Sequence, residues 1–224
     1  MRRPAFEPCI PTPGKTVPAG ADWIHEIKHD GYRLIIQREG KRVRLFTRNG
    51  HDWSDRFPLT VEAALRNRIS SFVIDGEAVL LGVDGRSDFN GLHSRKHNDE
   101  VQFYAFDILA MEDEDLRPLP LHLRKNNLAR LLARRIDGIF LSDFEQGEIG
   151  PDLFRHACLM GLEGLVSKRR DRPYRGGRSP HWIKIENRSH HSIERFKEAF
   201  RSRHIPRGKY LAERLCRSGI SPGM

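Results

Sequence analysis

The sequence predicts an α+β fold: mainly antiparallel sheets flanked by helices. Three observations carry this. Short β-rich runs follow one another through tight turns. The helical segments stand alone between them, without the regular β-α-β alternation that builds a parallel sheet. The length, 224 residues, suffices for one substantial core and a small appended element.

The elements follow in chain order. Residues 1–20 are rich in Pro and Gly and read as an extended arm. "WIHEIK" (23–28) reads as a strand. "YRLIIQREGKRVRLFT" (32–47) reads as a hairpin folded about Glu39, Gly40 and Lys41, with "RNG" (48–50) as the next turn. "RFPLTVEAALRNRI" (56–69) places Val61, Ala64, Leu65 and Arg68 at helical spacing. "SFVIDGEAVLL" (71–81) and "VQFYAFDIL" (101–109) are apolar strand runs. "LHLRKNNLARLLARRI" (121–136) reads as an amphipathic helix with a basic outer face. "PDLFRHACLMG" (151–161) is a short helix, with Pro151 near its start and Gly161 as its stop. "EGLVSKRR" (163–170) and "HWIKIEN" (181–187) are late strands around the turn-rich "DRPYRGGRSP". After Asn187 the β pattern stops. Ile193, Phe196 and Phe200 suggest one short amphipathic helix before an end expected to fray.

Composition narrows the function classes. No apolar run is long enough for a membrane span, and "MRRPAFEPCIPTPG" lacks the apolar stretch of a secretory signal. Cys9, Cys158 and Cys216 are odd in number and scattered. They suggest neither a disulfide framework nor a CxxC metal pair, so the expected location is cytoplasmic. The net charge of +9 favours an anionic partner, nucleic acid first. From Arg188 onward, nine Lys/Arg face three Asp/Glu, so this stretch holds six of the nine surplus charges.

Several charged residues sit inside apolar strand runs, where burial is costly unless charges are paired or used. Asp75 and Glu77 lie two apart, so both carboxylates leave one face of a strand. Gly76 between them leaves room for a close approach. Lys28, Lys168 and Lys184 end or interrupt strand runs, with Asp30, Glu77 and Glu163 as candidate carboxylate partners. Convergence would make a site for a polyphosphate and its metal: lysines act on phosphate oxygens and carboxylates hold Mg²⁺. Clustered cations and burial would also lower the pKa of a lysine nucleophile. "PGKT" (13–16) ends like a phosphate-binding loop, but Cys9 stands where that loop's first glycine belongs.

"EIKHDGYR" (26–33) resembles the E-x-K-x-D-G-x-R motif of the covalent nucleotidyltransferases: ATP-dependent DNA ligases, RNA ligases and mRNA capping enzymes. "FTRNG", "DGE" (75–77), "YAFD" (104–107), "EGLVSK" (163–168) and "WIKIE" (182–186) resemble the remaining motifs in order. "GLEGLVSKRRDRPYRGGRSPHW" looks most like the ligase domain of bacterial end-joining DNA ligases, and the similarity covers residues 5–188.

The resemblance implies a covalent nucleotidyltransferase (ATP-grasp-like) domain over residues 1–188. A basic tail over 189–224 would form a short helix and then be disordered. It implies an enzyme of the DNA ligase (ATP) type acting in repair and recombination. Lys28 would attack the α-phosphorus of ATP and form lysyl-AMP. Glu26 would lie beside the adenine, with Phe106 stacked on the ring opposite Val166. Arg33 and Arg48 would contact the sugar-phosphate part and Glu77 the ribose. Lys168 and Lys184 would contact phosphates, and Glu163 with Glu77 would hold Mg²⁺ or Mn²⁺. Partners would be nicked or broken duplex DNA, with a separate OB-fold, polymerase or Ku-like end-joining protein.

Two departures stand out. Glu186 occupies the place of the family's second lysine in W-x-K-x-K, and the 37 residues after Asn187 are too few for an OB-fold. Two alternatives therefore stay open: a degenerate, non-sealing ATP- or DNA-binding protein, and an RNA ligase or capping-type enzyme on the same scaffold.

Overall fold

The β-rich runs assemble into two sheets that face each other across a shared apolar layer. A computed structural model describes residues 6–191. The first sheet contains β1 (Cys9–Pro13), β2 (Trp23–Ile27), β9 (Phe144–Gln146), β10 (Gly164–Arg169) and β11 (Gly177–Glu186), in the order β1-β11-β10-β2-β9. The second contains β3 (Tyr32–Glu39), β4 (Arg42–Thr47), β5 (Ser71–Val79), β6 (Gln102–Met111) and β7 (Glu114–Asp115), in the order β4-β3-β5-β6-β7. β8 (Ile139–Leu141) also pairs with β6. The β1–β11 and β6–β8 pairings are parallel and the others antiparallel, as the α+β reading expects. Four α-helices are described: α1 (Pro58–Arg66), α2 (Phe89–Ser94), α3 (Leu121–Leu131) and α4 (Gly150–Leu159).

The second sheet is covered on both faces, which explains why its central strand reads as a continuous apolar run. Leu34, Ile36, Phe72, Ile74 and Ile108 join a core with Ala63 and Ala64 of α1 and Leu128 and Leu131 of α3. Ile35, Val73 and Leu109 point the other way and pack with Cys9, Tyr174 and Trp182. This alternation is the period-two geometry of a strand. Two register shifts in the β5–β6 pairing, at Val73/Ile74 and Asp75/Gly76, mark bulges beside the site.

Three expectations change. The arm over residues 1–20 contains β1, which pairs with β11, and β11 begins at Gly177, inside the stretch read as turns. α3 does not carry a purely basic outer face: Arg124 and Lys125 are fully buried. The third concerns the segment after Ile27, which joins two strands that do not pair with each other. β2 belongs to the first sheet and β3 to the second, so residues 28–31 carry the chain from one sheet to the other. Gly31 is required there by close packing, because a Cβ would collide with the Ala78 carbonyl oxygen.

Residues up to Asn187 form one unit and those from Arg188 a second. The expected tail helix with Ile193, Phe196 and Phe200, and the frayed end, lie outside the described residues.

Candidate active site

Lys28 stands at the start of the crossing between the sheets. Its backbone N–H donates to the Gly164 carbonyl at 2.9 Å, which ties the end of β2 to the start of β10. Its ammonium donates to Glu163 Oε1 at 2.5 Å. Glu163 is buried, and its second oxygen, Oε2, has no hydrogen-bond partner among the described residues. Burial pushes its carboxyl pKa up, Lys28 opposes this, and Asp30 and Glu186 add to the rise.

Lys28 opens into a cavity of about 330 Å³, within the size range of small-ligand sites. Of the ten residues singled out from sequence, nine line it: Glu26, Lys28, Arg33, Arg48, Glu77, Phe106, Val166, Lys168 and Lys184. The tenth, Glu163, reaches it through its bond to Lys28. β2, β10 and β11 supply Glu26, Val166, Lys168 and Lys184 from the first sheet. β3, β5 and β6 supply Arg33, Glu77 and Phe106 from the second. Arg48 sits on the turn after β4.

Several of these side chains already have partners. Arg33 donates to both oxygens of Asp75 (3.0 and 2.6 Å) and to the Cys9 carbonyl at 2.6 Å, joining β3 to β5 and to β1 of the other sheet. Burial works against its charge, but Asp75 outweighs this and keeps the guanidinium firmly protonated. The Tyr174 hydroxyl also donates to Asp75, at 2.7 Å. Lys168 is buried, donates to Glu26 Oε2 at 2.7 Å, and lies 4.1 Å from the ring centres of both Phe106 and Trp182. Lys184 pairs with Glu186 at 2.5 Å. Arg48 is exposed and forms no ion pair among the described residues.

Glu77 shows the electrostatic character of the floor. Burial raises its carboxyl pKa to about 8, against the pull of Lys28 and Arg33, with Glu163 and Asp75 pushing the same way as burial. Glu163 is close enough to Glu77 to raise its pKa, and Glu163 Oε2 has no hydrogen-bond partner among the described residues; carboxylate oxygens of this kind suit a divalent cation. The ammoniums and guanidiniums that surround them, supplied by both sheets, fit an anion.

Sequence reasoning missed seven lining residues, Pro11, Pro13 and Ile27 among them. Arg178 and Trp182 line the cavity from β11, and His29 lines it beside Lys28 with its ring 4.8 Å from that of Tyr104. The first two lie in segments already marked by their motifs, so strand alternation from Lys184 was the available signal for Trp182. Ile10 is brought in by the pairing of β1 with β11, for which the local sequence holds no cue.

A family model described as ATP dependent DNA ligase domain matches residues 13–186. The multifunctional non-homologous end joining protein LigD of Pseudomonas aeruginosa is 37% identical over 172 residues, 75% of this chain and 20% of that protein. The ligase domain of M. tuberculosis LigD superposes with a TM-score of 0.71 at 30% identity, covering 80% of this chain and 60% of that one. A mycobacterial DNA ligase D complexed with ATP and MES gives the same TM-score, 0.71, at 29% identity and the same coverage. The chain thus spans about a fifth of the length of the curated LigD relative. It belongs to the ATP-dependent DNA ligase domain family.

Proposed function

We propose that Lys28 is the nucleophile of a self-adenylating ligase domain. The observation that carries this is the position of its ammonium: at the crossing between the sheets, bound to a buried carboxylate and opening into a cation-walled cavity. In the step, the Lys28 nitrogen gives up a proton, for which Glu163 Oε1 is the adjacent acceptor. The nitrogen then forms a bond to the α-phosphorus of ATP. The phosphorus–oxygen bond to the β-phosphate breaks, pyrophosphate leaves, and AMP remains on Lys28 as a phosphoramidate.

Phe106 and Val166 flank the adenine in this reading, with Glu26 at its edge. Arg33, Arg48 and Glu77 face the sugar-phosphate part, and Lys168 and Lys184 face the phosphates. Glu77, with the free Oε2 of Glu163, would hold Mg²⁺ or Mn²⁺, and the ion would supply positive charge to offset that of the leaving pyrophosphate. The AMP then passes to the 5′-phosphate of nicked or broken duplex DNA, and a 3′-hydroxyl displaces it. The LigD relative is named as an end-joining protein, which supports repair of DNA breaks as the setting. No helix among the described residues is long and apolar enough to cross a membrane. Cys9 and Cys158, which form no disulfide among the described residues, are our ground for a cytoplasmic location.

The test is covalent labelling. Incubation with α-labelled ATP and Mg²⁺ should place label on the protein, and Lys28→Ala should remove it entirely. Absence of label on the unaltered protein at every ATP concentration would sink the proposal. A second reading, a non-sealing nucleotide-binding protein, is favoured by one contact, the pairing of Lys184 with Glu186. Sealing of pre-adenylated nicked DNA separates the two readings.

A further inference from the structure

Lys125 has no part in the chemistry above. It lies on α3, is 2% exposed and does not line the cavity. Yet its ammonium lies at ion-pair distance, 2.6 Å, from Glu26 Oε1 without the geometry of a hydrogen bond, while Lys168 donates to Glu26 Oε2 at 2.7 Å. Two buried ammoniums therefore share one buried carboxylate. The adjacent charges do not compensate, because Asp107 is already matched by Arg124, at 2.8 and 2.9 Å to its two oxygens. The Lys125–Glu26–Lys168 group keeps a surplus of one positive charge away from water. An unmatched buried charge is expensive and is retained where something uses it. Of the two ammoniums, only that of Lys168 reaches the cavity wall.

We propose that Lys125 is a positioning residue: by occupying one oxygen of Glu26, it leaves the charge of Lys168 uncompensated toward an anion entering the cavity. Without Lys125, Glu26 and Lys168 would close into a neutral pair. That the anion is a nucleotide phosphate rests on the adenylation reading. The groups around the Lys168 ammonium are Glu26 from β2, Lys125 from α3 and Asp107 from β6, with the rings of Phe106 and Trp182. Burial lowers the Lys168 pKa to about 8; Glu26 opposes this, Lys125 reinforces it and Asp107 opposes it. Removing Lys125 therefore raises that pKa while it weakens the pull on an anion. General destabilisation would not produce this combination.

The experiment uses the full chain with selectively ¹³C-labelled lysines. In Lys125→Met, the titration midpoint of Lys168 should rise by about one unit, the size of one like-charge neighbour's effect. Calorimetry in a Lys28→Ala background should show ATP affinity at neutral pH falling about tenfold, the value of one charge-assisted contact. Lys125→Arg should restore both. An unmoved midpoint, or a loss of affinity that arginine does not restore, overturns the proposal. If Lys125→Met does not fold, the unaltered protein decides: added pyrophosphate should shift the Lys168 resonance and leave that of Lys125 in place, and any other pattern counts against the proposal. Failure of ATP labelling would remove the adenylation reading while leaving the midpoint and the pyrophosphate shift to judge Lys125.

Discussion

At the scale of single residues, Arg124 is a charge held on every side. Its guanidinium is fully buried, takes both oxygens of Asp107, and donates to the carbonyls of Leu119 and Arg172. It thereby fixes α3 against β6 and the loop after β10, and sets where the next residue, Lys125, must lie. Removing one partner of such a pair leaves the other as a buried, unmatched charge. Arg124→Met should therefore lower the unfolding free energy by about 3–5 kcal/mol in chemical denaturation. A loss no larger than that of an exposed pair, under about 1 kcal/mol, would contradict this account. The contrast with Lys184 and Glu186 is instructive: both are partly exposed, so their pairing contributes little to stability and its effect falls on charge within the cavity.

At the scale of elements, β11 matters most. Strand geometry puts Lys184 and Glu186 on one face, so a carboxylate stands beside a cavity ammonium. Glu186→Lys should raise the rate of covalent labelling at limiting ATP, because it frees Lys184 and adds a second cation. An unchanged or slower rate would show that Lys184 is already available. The strands that carry the site were legible: the runs around Lys28, Glu77, Phe106, Val166 and Lys184 are apolar, and their charged interruptions stand out. Strand β1 was not, because its parallel partner lies far away in sequence. β7, β8 and β9 are two or three residues long, too short to show a period. The burial of Arg124 and Lys125 was hidden for a different reason. A sequence shows charges but not their partners, and Asp107 and Glu26 reach α3 only through the sheets.

At the scale of the whole molecule, charge is divided along the chain. Six of the nine surplus positive charges lie from Arg188 onward. If these residues grip a phosphate backbone, affinity for nicked duplex DNA should fall steeply as salt rises from about 50 to about 200 mM. A chain ending at Asn187 should bind more weakly and with a shallower salt slope. Equal affinity with and without that segment would exclude it from the DNA contact.

The link from Lys28 to Gly31 joins two sheets that never pair with each other edge to edge. Lys168, Arg178 and Lys184 line the cavity from one jaw, Arg33, Arg48, Glu77 and Phe106 from the other, and Lys28 rides on the strap between them. Any occupant that touches both jaws therefore acts as a clasp. Its binding free energy is also energy holding the halves of the molecule together, so resistance to melting should climb with occupant concentration. The Lys28 nitrogen also cannot drift from an occupant unless the jaws themselves part.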